Sequence, residues 1–94
     1  MQPLLVPATL HPAEDFGGVL ASRPLAAQLR EQVEQRARHE PVAISFAGVE
    51  TVSPSFADEL FAKLDQELVS SGRVTFIDVD DDIEAIIRTV SRRR

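Results

Sequence analysis

Two kinds of hydrophobic run alternate along this chain: short extended runs, and longer runs in which apolar residues recur at helical spacing. The extended runs cover residues 3–10, 42–47 and 73–79, and they predict strands. Helical spacing follows each of them, in stretches that begin with Ser22, with Ser53 or Ser55, and with Asp80. The chain is therefore predicted to run strand, helix, strand, helix, strand, helix.

The apolar residues of each predicted helix share one face, which should pack on the sheet. These residues are Ala26, Leu29, Val33 and Ala37 on the first helix, Ala57, Leu60, Phe61, Leu64 and Leu68 on the second, and Ile83, Ile86, Ile87 and Val90 on the third. The first helix should start at a Ser22 cap and end near Arg38, and the second should end at residues 70–72. Residues 11–19 predict a loop, with a short strand around residues 16–20.

This alternation predicts an α/β fold, a small, mostly parallel or mixed sheet with about three helices packed on it. The 94 residues are expected to form a single domain, residues 1–94. The strand over residues 73–79 is rich in β-branched residues, so we expect it to be covered on both faces. Pro7 places the first strand at an edge or breaks it. Apolar residues 4–6 on that edge predict a homodimer.

Composition excludes several classes of function. The net charge of -5 and the absence of Tyr and Trp argue against a nucleic-acid partner, which needs cations for phosphates and aromatic rings for bases. The chain lacks cysteine, a signal-peptide pattern and a membrane-length apolar run, so we expect no membrane association and a cytoplasmic location. No catalytic motif is recognisable, and we predict no enzyme activity, cofactor or metal.

The most informative stretch is residues 42–61, VAISFAGVETVSPSFADELF, in which a buried strand leads through a tight connection into a helix. In α/β folds, ligands and partners are met beyond the carboxyl ends of such strands. Together with SRPLAAQLR on the first helix, this stretch resembles the STAS-like domain family. More distantly it is similar to STAS domains, the sulfate-transporter and anti-sigma-factor-antagonist modules. The resemblance covers about residues 17–90. It implies a regulatory, partner-switching interaction module.

STAS domains carry an acidic residue, two serines and a glycine at this helix start, and a partner kinase phosphorylates the second serine. In this chain those four positions are Ser53, Pro54, Ser55 and Phe56. The resemblance therefore implies that Ser55 is the phosphorylation candidate. It also implies that the partner is a histidine-kinase-like ATPase.

The residues around Ser55 have structural interpretations as well. Ser55 lies three residues before Asp58, a spacing typical of a capping box, although Ser53 followed by proline fits a helix cap equally well. Asp58 and Glu59 suit the positive end of the helix dipole, and we predict that they also form a partner-facing rim. Arg23 is disfavoured by the dipole of its own helix, which predicts a salt link to Asp58 or Glu59.

Four carboxylates near the carboxyl end, Asp78, Asp80, Asp81 and Asp82, support an alternative function. Hard cations prefer such ligands, so this group suggests a small metal-dependent enzyme or phosphoacceptor that binds Mg²⁺. Strand alternation would place the first two on one face, whereas the last two fit the first turn of a helix, where the dipole favours them. A Mg²⁺ titration followed by amide NMR separates this alternative from the interaction module.

Overall fold

The computed structural model describes residues 8–91, which form two small parallel sheets with helices packed around them. The strands are β1 (Ala8–Leu10), β2 (Val19–Leu20), β3 (Val42–Ser45), β4 (Thr51–Val52) and β5 (Val74–Ile77). The helices are α1 (Pro12–Phe16), α2 (Arg23–Ala37), α3 (Pro54–Ala57), α4 (Gln66–Ser70) and α5 (Asp81–Ser91). Directly after α3, one turn of π-helix covers Asp58–Ala62, and we call it the π turn.

The larger sheet has the strand order β1-β3-β5, and all of its strands are parallel. Ile44 of the central strand lies opposite Leu10 on one side and Phe76 on the other, and every residue of β3 is buried. The smaller sheet pairs β2 with β4. Parallel neighbours require crossover connections, which the intervening helices provide. The predicted α/β fold is therefore confirmed, and β1 lies at an edge of the described sheet, one of the two outcomes that Pro7 predicted.

One hydrophobic core joins α2, β3, the π turn and α5. Its members include nearly all of the predicted helix stripes, with Leu68, Ile86 and Ile87 packed at its margin. Three aromatic rings close one side of it: the ring centroid of Phe61 lies 5.2 Å from that of Phe76 and 5.8 Å from that of Phe46. The helical periodicity therefore identified the buried faces correctly.

The helices are more numerous than the three that were predicted. Pro12–Phe16 is helical, not a loop, because proline is tolerated in the first turn and Glu14 and Asp15 suit its dipole. The predicted second helix is divided, since the π turn ends at Ala62 and Asp65 then caps α4. The Asp65 carboxylate accepts a hydrogen bond from the Glu67 amide at 3.0 Å.

Strand β5 differs from its prediction in length and in burial. It ends at Ile77, and only Val74 and Phe76 face the core, whereas Thr75 is exposed and Ile77 is 39% exposed. The expectation that it is covered on both faces was wrong, because β5 is an edge strand with the core on one side only.

Some predictions fall outside the described residues. The strand predicted over residues 3–10 is described from Ala8 onward, so Pro7 and the apolar residues 4–6 lie outside, and the homodimer stays a prediction. Within residues 8–91, none of the helices has both the length and the apolar character needed to span a bilayer.

Candidate functional site at the start of helix α3

The starts of α2 and α3 lie side by side because Ser53 ties them together. The Ser53 hydroxyl donates to the carbonyl oxygen of Ala21 at 2.9 Å, and its backbone amide donates to the Leu20 carbonyl oxygen at 2.8 Å. The same hydroxyl accepts a hydrogen bond from the Phe56 amide at 3.0 Å, so Ser53 is the cap of α3. Ser22 caps α2, as predicted, by accepting from the Leu25 amide at 3.3 Å.

Ser55 has no capping role. It lies in the first turn of α3, its side chain is exposed, and its hydroxyl makes no hydrogen bond to any group in residues 8–91. Of the two cap candidates, the structure therefore selects Ser53. Ser55 keeps an accessible hydroxyl.

This difference between the two serines is measurable. Ser53→Ala removes a cap and a hydrogen bond between helix starts, and it should lower the free energy of unfolding by about 0.5–2 kcal/mol. Ser55→Ala is the matched control and should change it by less than about 0.5 kcal/mol, as is usual for an exposed residue. Urea unfolding followed by circular dichroism measures both. Equal losses from the two variants would show that the cap has been assigned to the wrong serine.

Glu59, in the π turn, is the centre of an ion-pair cluster. It is the one charged residue in residues 8–91 that is buried, with a side chain 7% exposed. Its Oε1 atom accepts from Arg23 Nη1 at 3.1 Å and from Lys63 Nζ at 3.0 Å, and its Oε2 atom accepts from Arg30 Nη2 at 3.2 Å. We call Arg23, Arg30, Asp58, Glu59 and Lys63 the charge cluster.

Arg23 also binds Asp58, since its Nη1 atom lies 3.2 Å from Asp58 Oδ2. The predicted salt link is therefore confirmed, and it reaches both carboxylates. Hydrogen bonds from Lys63, Arg23 and Arg30 lower the pKa of Glu59 to about 2, with Lys63 the largest cause, although burial opposes them. The hydrogen bonds to Glu59 and Asp58 raise the pKa of Arg23.

The charge cluster corrects one sequence-based expectation. Glu59 was predicted on a partner-facing rim, but it is buried against α2, and only Asp58, with 34% of its side chain exposed, remains at the surface. Lys63 was not among the predicted site residues, yet its ammonium group binds Glu59. The spacing of Glu59 and Lys63, four residues apart on one helix face, is the signal that could have revealed this pair. No comparable signal pointed to Arg30.

The low pKa of Glu59 makes stability depend on pH. This carboxyl group titrates near 4.5 when unperturbed and at about 2 in the folded chain. The folded state therefore binds fewer protons, and the stabilisation is complete above about pH 4.5 and is lost as the pH falls toward 2. We expect the melting temperature to fall over this window more steeply in the parent chain than in Glu59→Gln. Parallel pH profiles of the two proteins would contradict the assignment.

A groove lies beside the start of α3. It is lined by Val52 and Pro54 on one side and, on α5, by Ala85, Ile86, Thr89 and Val90. Ser55 follows Pro54 directly in the chain and is exposed, although its side chain is not part of the groove lining.

The four carboxylates near α5 have structural roles. Asp80 caps α5 by accepting from the Ile83 amide at 2.8 Å, and Asp81 and Asp82 lie in its first turn. Asp78 has a φ of +56° and accepts a hydrogen bond from the Ser45 hydroxyl at 2.6 Å. The predicted strand alternation of Asp78 and Asp80 is therefore wrong, because the strand ends before them. Within residues 8–91, no three carboxylate or imidazole groups are close enough together to ligate a metal ion.

Fold and site together define a small α/β domain in which an exposed serine, a groove and a charge cluster meet at one helix start. A family model described as a STAS-like domain of unknown function matches residues 26–84. The match covers more than half of the chain, so the chain belongs to this family, as its resemblance predicted. It runs from α2 into α5 and includes both serines and the charge cluster except Arg23, whereas the α5 residues that line the groove lie beyond it. No curated protein and no solved structure matched the chain.

Proposed function

We propose that this chain is a non-enzymatic regulatory module that binds a protein partner at the start of α3, and that phosphorylation of Ser55 controls the binding. Membership of a STAS-like family supports a regulatory interaction module in general. The observation that carries the proposal is the contrast between two neighbouring serines. Ser53 has its hydroxyl engaged in two hydrogen bonds, whereas Ser55 presents a free hydroxyl at the surface.

The groove between α3 and α5 supports a protein partner over a small molecule. Its volume is about 260 Å³, below the roughly 300–1,000 Å³ that is usual for small-molecule sites. Its lining is mainly apolar and includes Pro54, the residue directly before the exposed Ser55. Such a surface suits one or two apolar side chains of a partner, with a polar rim beside them. The resemblance to STAS domains favours a histidine-kinase-like ATPase as that partner.

A phosphate on Ser55 should change binding more than folding. The first turn of a helix tolerates an anion, because its backbone amides and dipole favour negative charge. Asp58 lies one helical turn further on, so the modified surface would carry about two additional negative charges beside an existing carboxylate. Acidic groups of the partner would then be repelled, and the fold would remain.

The experiment uses the full chain, a native-host lysate and two matched substitutions. Tagged chain should retain an ATPase, which is then purified, and its affinity for the parent chain is measured by calorimetry. Ser55→Asp should change this affinity at least about tenfold, a difference of 1.4 kcal/mol, with the melting temperature unchanged. Ser70→Asp, on an exposed serine of α4, is the control and should bind as the parent does.

Two further measurements complete the test. Ala85→Arg places a long side chain in the groove from an exposed position and should abolish binding without unfolding the chain. The purified ATPase and ATP should transfer phosphate to Ser55, which mass spectrometry detects. The proposal fails if Ser55→Asp and Ala85→Arg both bind as the parent chain does. Amide shifts confined to residues near Asp80 on addition of Mg²⁺ would instead favour the metal-dependent alternative.

A further inference from the structure

We infer that Arg23 is the internal receiver of a phosphate on Ser55, and that it leaves Asp58 when the phosphate arrives. This inference rests on the proposed phosphorylation of Ser55 and adds the structural change that it would cause. The charge cluster would then act as the part of the fold that responds to the modification.

Ser55 and the carboxylates bound by Arg23 lie on one side of the α3 start. Asp58 and Glu59 follow Ser55 by three and four residues, the spacing that places side chains on the same helix face. Arg23 reaches both carboxylates from the first turn of α2. The Ser53 hydroxyl holds the two helix starts together through its bond to Ala21. The Arg23 guanidinium therefore already occupies the face on which a Ser55 phosphate would stand.

Arg23 is the cation of the cluster that can leave most easily. Its side chain is 46% exposed, whereas Arg30 is 22% exposed and is held between Glu34 and Glu59. If Arg23 turns away, Glu59 still accepts from Lys63 and Arg30, so the buried carboxylate stays paired. Only Asp58 loses its ion-pair partner, and it is partly exposed to water.

Lys63 is the other exposed cation of the cluster, but it is poorly placed for this role. It lies eight residues after Ser55, more than two helical turns or roughly 12 Å along the axis. A guanidinium also matches phosphate better than an ammonium does, because its planar fork donates two parallel hydrogen bonds. Geometry and chemistry therefore both select Arg23.

The exchange would change the surface that a partner meets. In the unmodified chain Asp58 is neutralised by Arg23. After the exchange Arg23 would pair with the phosphate, and Asp58 would stand beside it as an unpaired carboxylate. The partner would meet a rearranged set of charges in addition to the phosphate itself.

The test uses the full chain carrying phosphoserine at position 55, made by ligation or by genetic incorporation. Phosphorus NMR measures the second pKa of this phosphoserine in the parent chain, in Arg23→Gln and in the control Arg36→Gln. Arg36 lies on the same helix and is 50% exposed, but it pairs with Glu40 at the other end. A bound guanidinium favours the dianion, so the pKa should be lower by about half a unit or more in the parent and in Arg36→Gln than in Arg23→Gln.

If Arg23→Gln does not fold, Arg23→Lys is a second variant that keeps the positive charge. The pKa of the phosphoserine should be higher in Arg23→Lys than in the parent chain. The side-chain NεH signal of Arg23 should also shift on phosphorylation. Equal pKa values in the parent and the Arg23 variants, or an unmoved NεH signal, would overturn the inference. Neither measurement involves a partner. The pairing of Arg23 with the phosphate can therefore be disproved while partner binding stands, and a failure of partner binding would not change these two measurements.

Discussion

Leu60→Ala should lower the free energy of unfolding by about 2–5 kcal/mol, because it opens a cavity where the packing cannot collapse. Leu60 is fully buried in the π turn, which α2, α3 and α5 all contact. A domain of this size is stable by only about 5–15 kcal/mol, so a loss at the upper end would leave part of the chain unfolded at room temperature. Urea denaturation with circular dichroism detection gives the value.

Leu68→Ala is the matched control for Leu60→Ala, since it deletes the same atoms from a half-buried position in α4. We expect it to cost less than half as much as Leu60→Ala. If Leu68→Ala proves the more damaging change, the π turn is not the centre of the core and the packing described for it is incorrect.

Among substitutions of charged residues, Glu59→Gln should be the most destabilising, and it should lower the free energy of unfolding by about 3 kcal/mol. Removal of one member of a buried ion pair leaves its partners desolvated and unpaired, which typically costs 3–5 kcal/mol. The lower end applies because Arg23 and Lys63 are about half exposed and can turn to water. Arg30 cannot do so as easily, and its Nε atom is already buried without a hydrogen-bond partner among the described residues.

Asp58→Asn removes a neighbouring carboxylate that is 34% exposed and bound to Arg23 alone within the described ion pairs. Asp58→Asn should therefore lower the free energy of unfolding by less than about 1 kcal/mol, as is usual for exposed ion pairs. A double-mutant cycle of Glu59→Gln with Arg30→Gln measures the coupling directly, and the double variant should lose less than the sum of the two single losses. Equal losses from Glu59→Gln and Asp58→Asn would mean that burial of Glu59 contributes nothing.

Sequence reasoning succeeded where a feature is decided locally. The α2 start at Ser22, its end near Arg38 and the apolar faces of α2 and α5 all follow from spacing and capping rules that involve only nearby residues. The order of strands and helices also followed, because alternating patterns permit few topologies.

The features that sequence reasoning missed depend on contacts distant along the chain. Ser53 and Ser55 both fit capping rules, and the bonds that Ser53 makes to Leu20 and Ala21, more than 30 residues away, could not be seen in the local pattern. A charged residue such as Glu59 is not expected to be buried, and its burial becomes understandable only when the arginines of α2 are known to lie beside it. The exposed face of β5 depends on which strand lies at the sheet edge, a property of the assembled fold.

The π turn also adds one residue to the helix that carries Glu59. A wider turn holds more residues than an α turn, so Asp58–Ala62 is equivalent to a one-residue insertion that the helix absorbs. Deleting one residue there would let the helix continue in ordinary α geometry and would leave the residues on either side of the turn on the faces that they occupy now. The turn itself would lose one of its four consecutive buried positions, which Glu59, Leu60, Phe61 and Ala62 occupy. A chain one residue shorter at this point should therefore keep its flanking core contacts and have less room for a buried carboxylate among the apolar side chains.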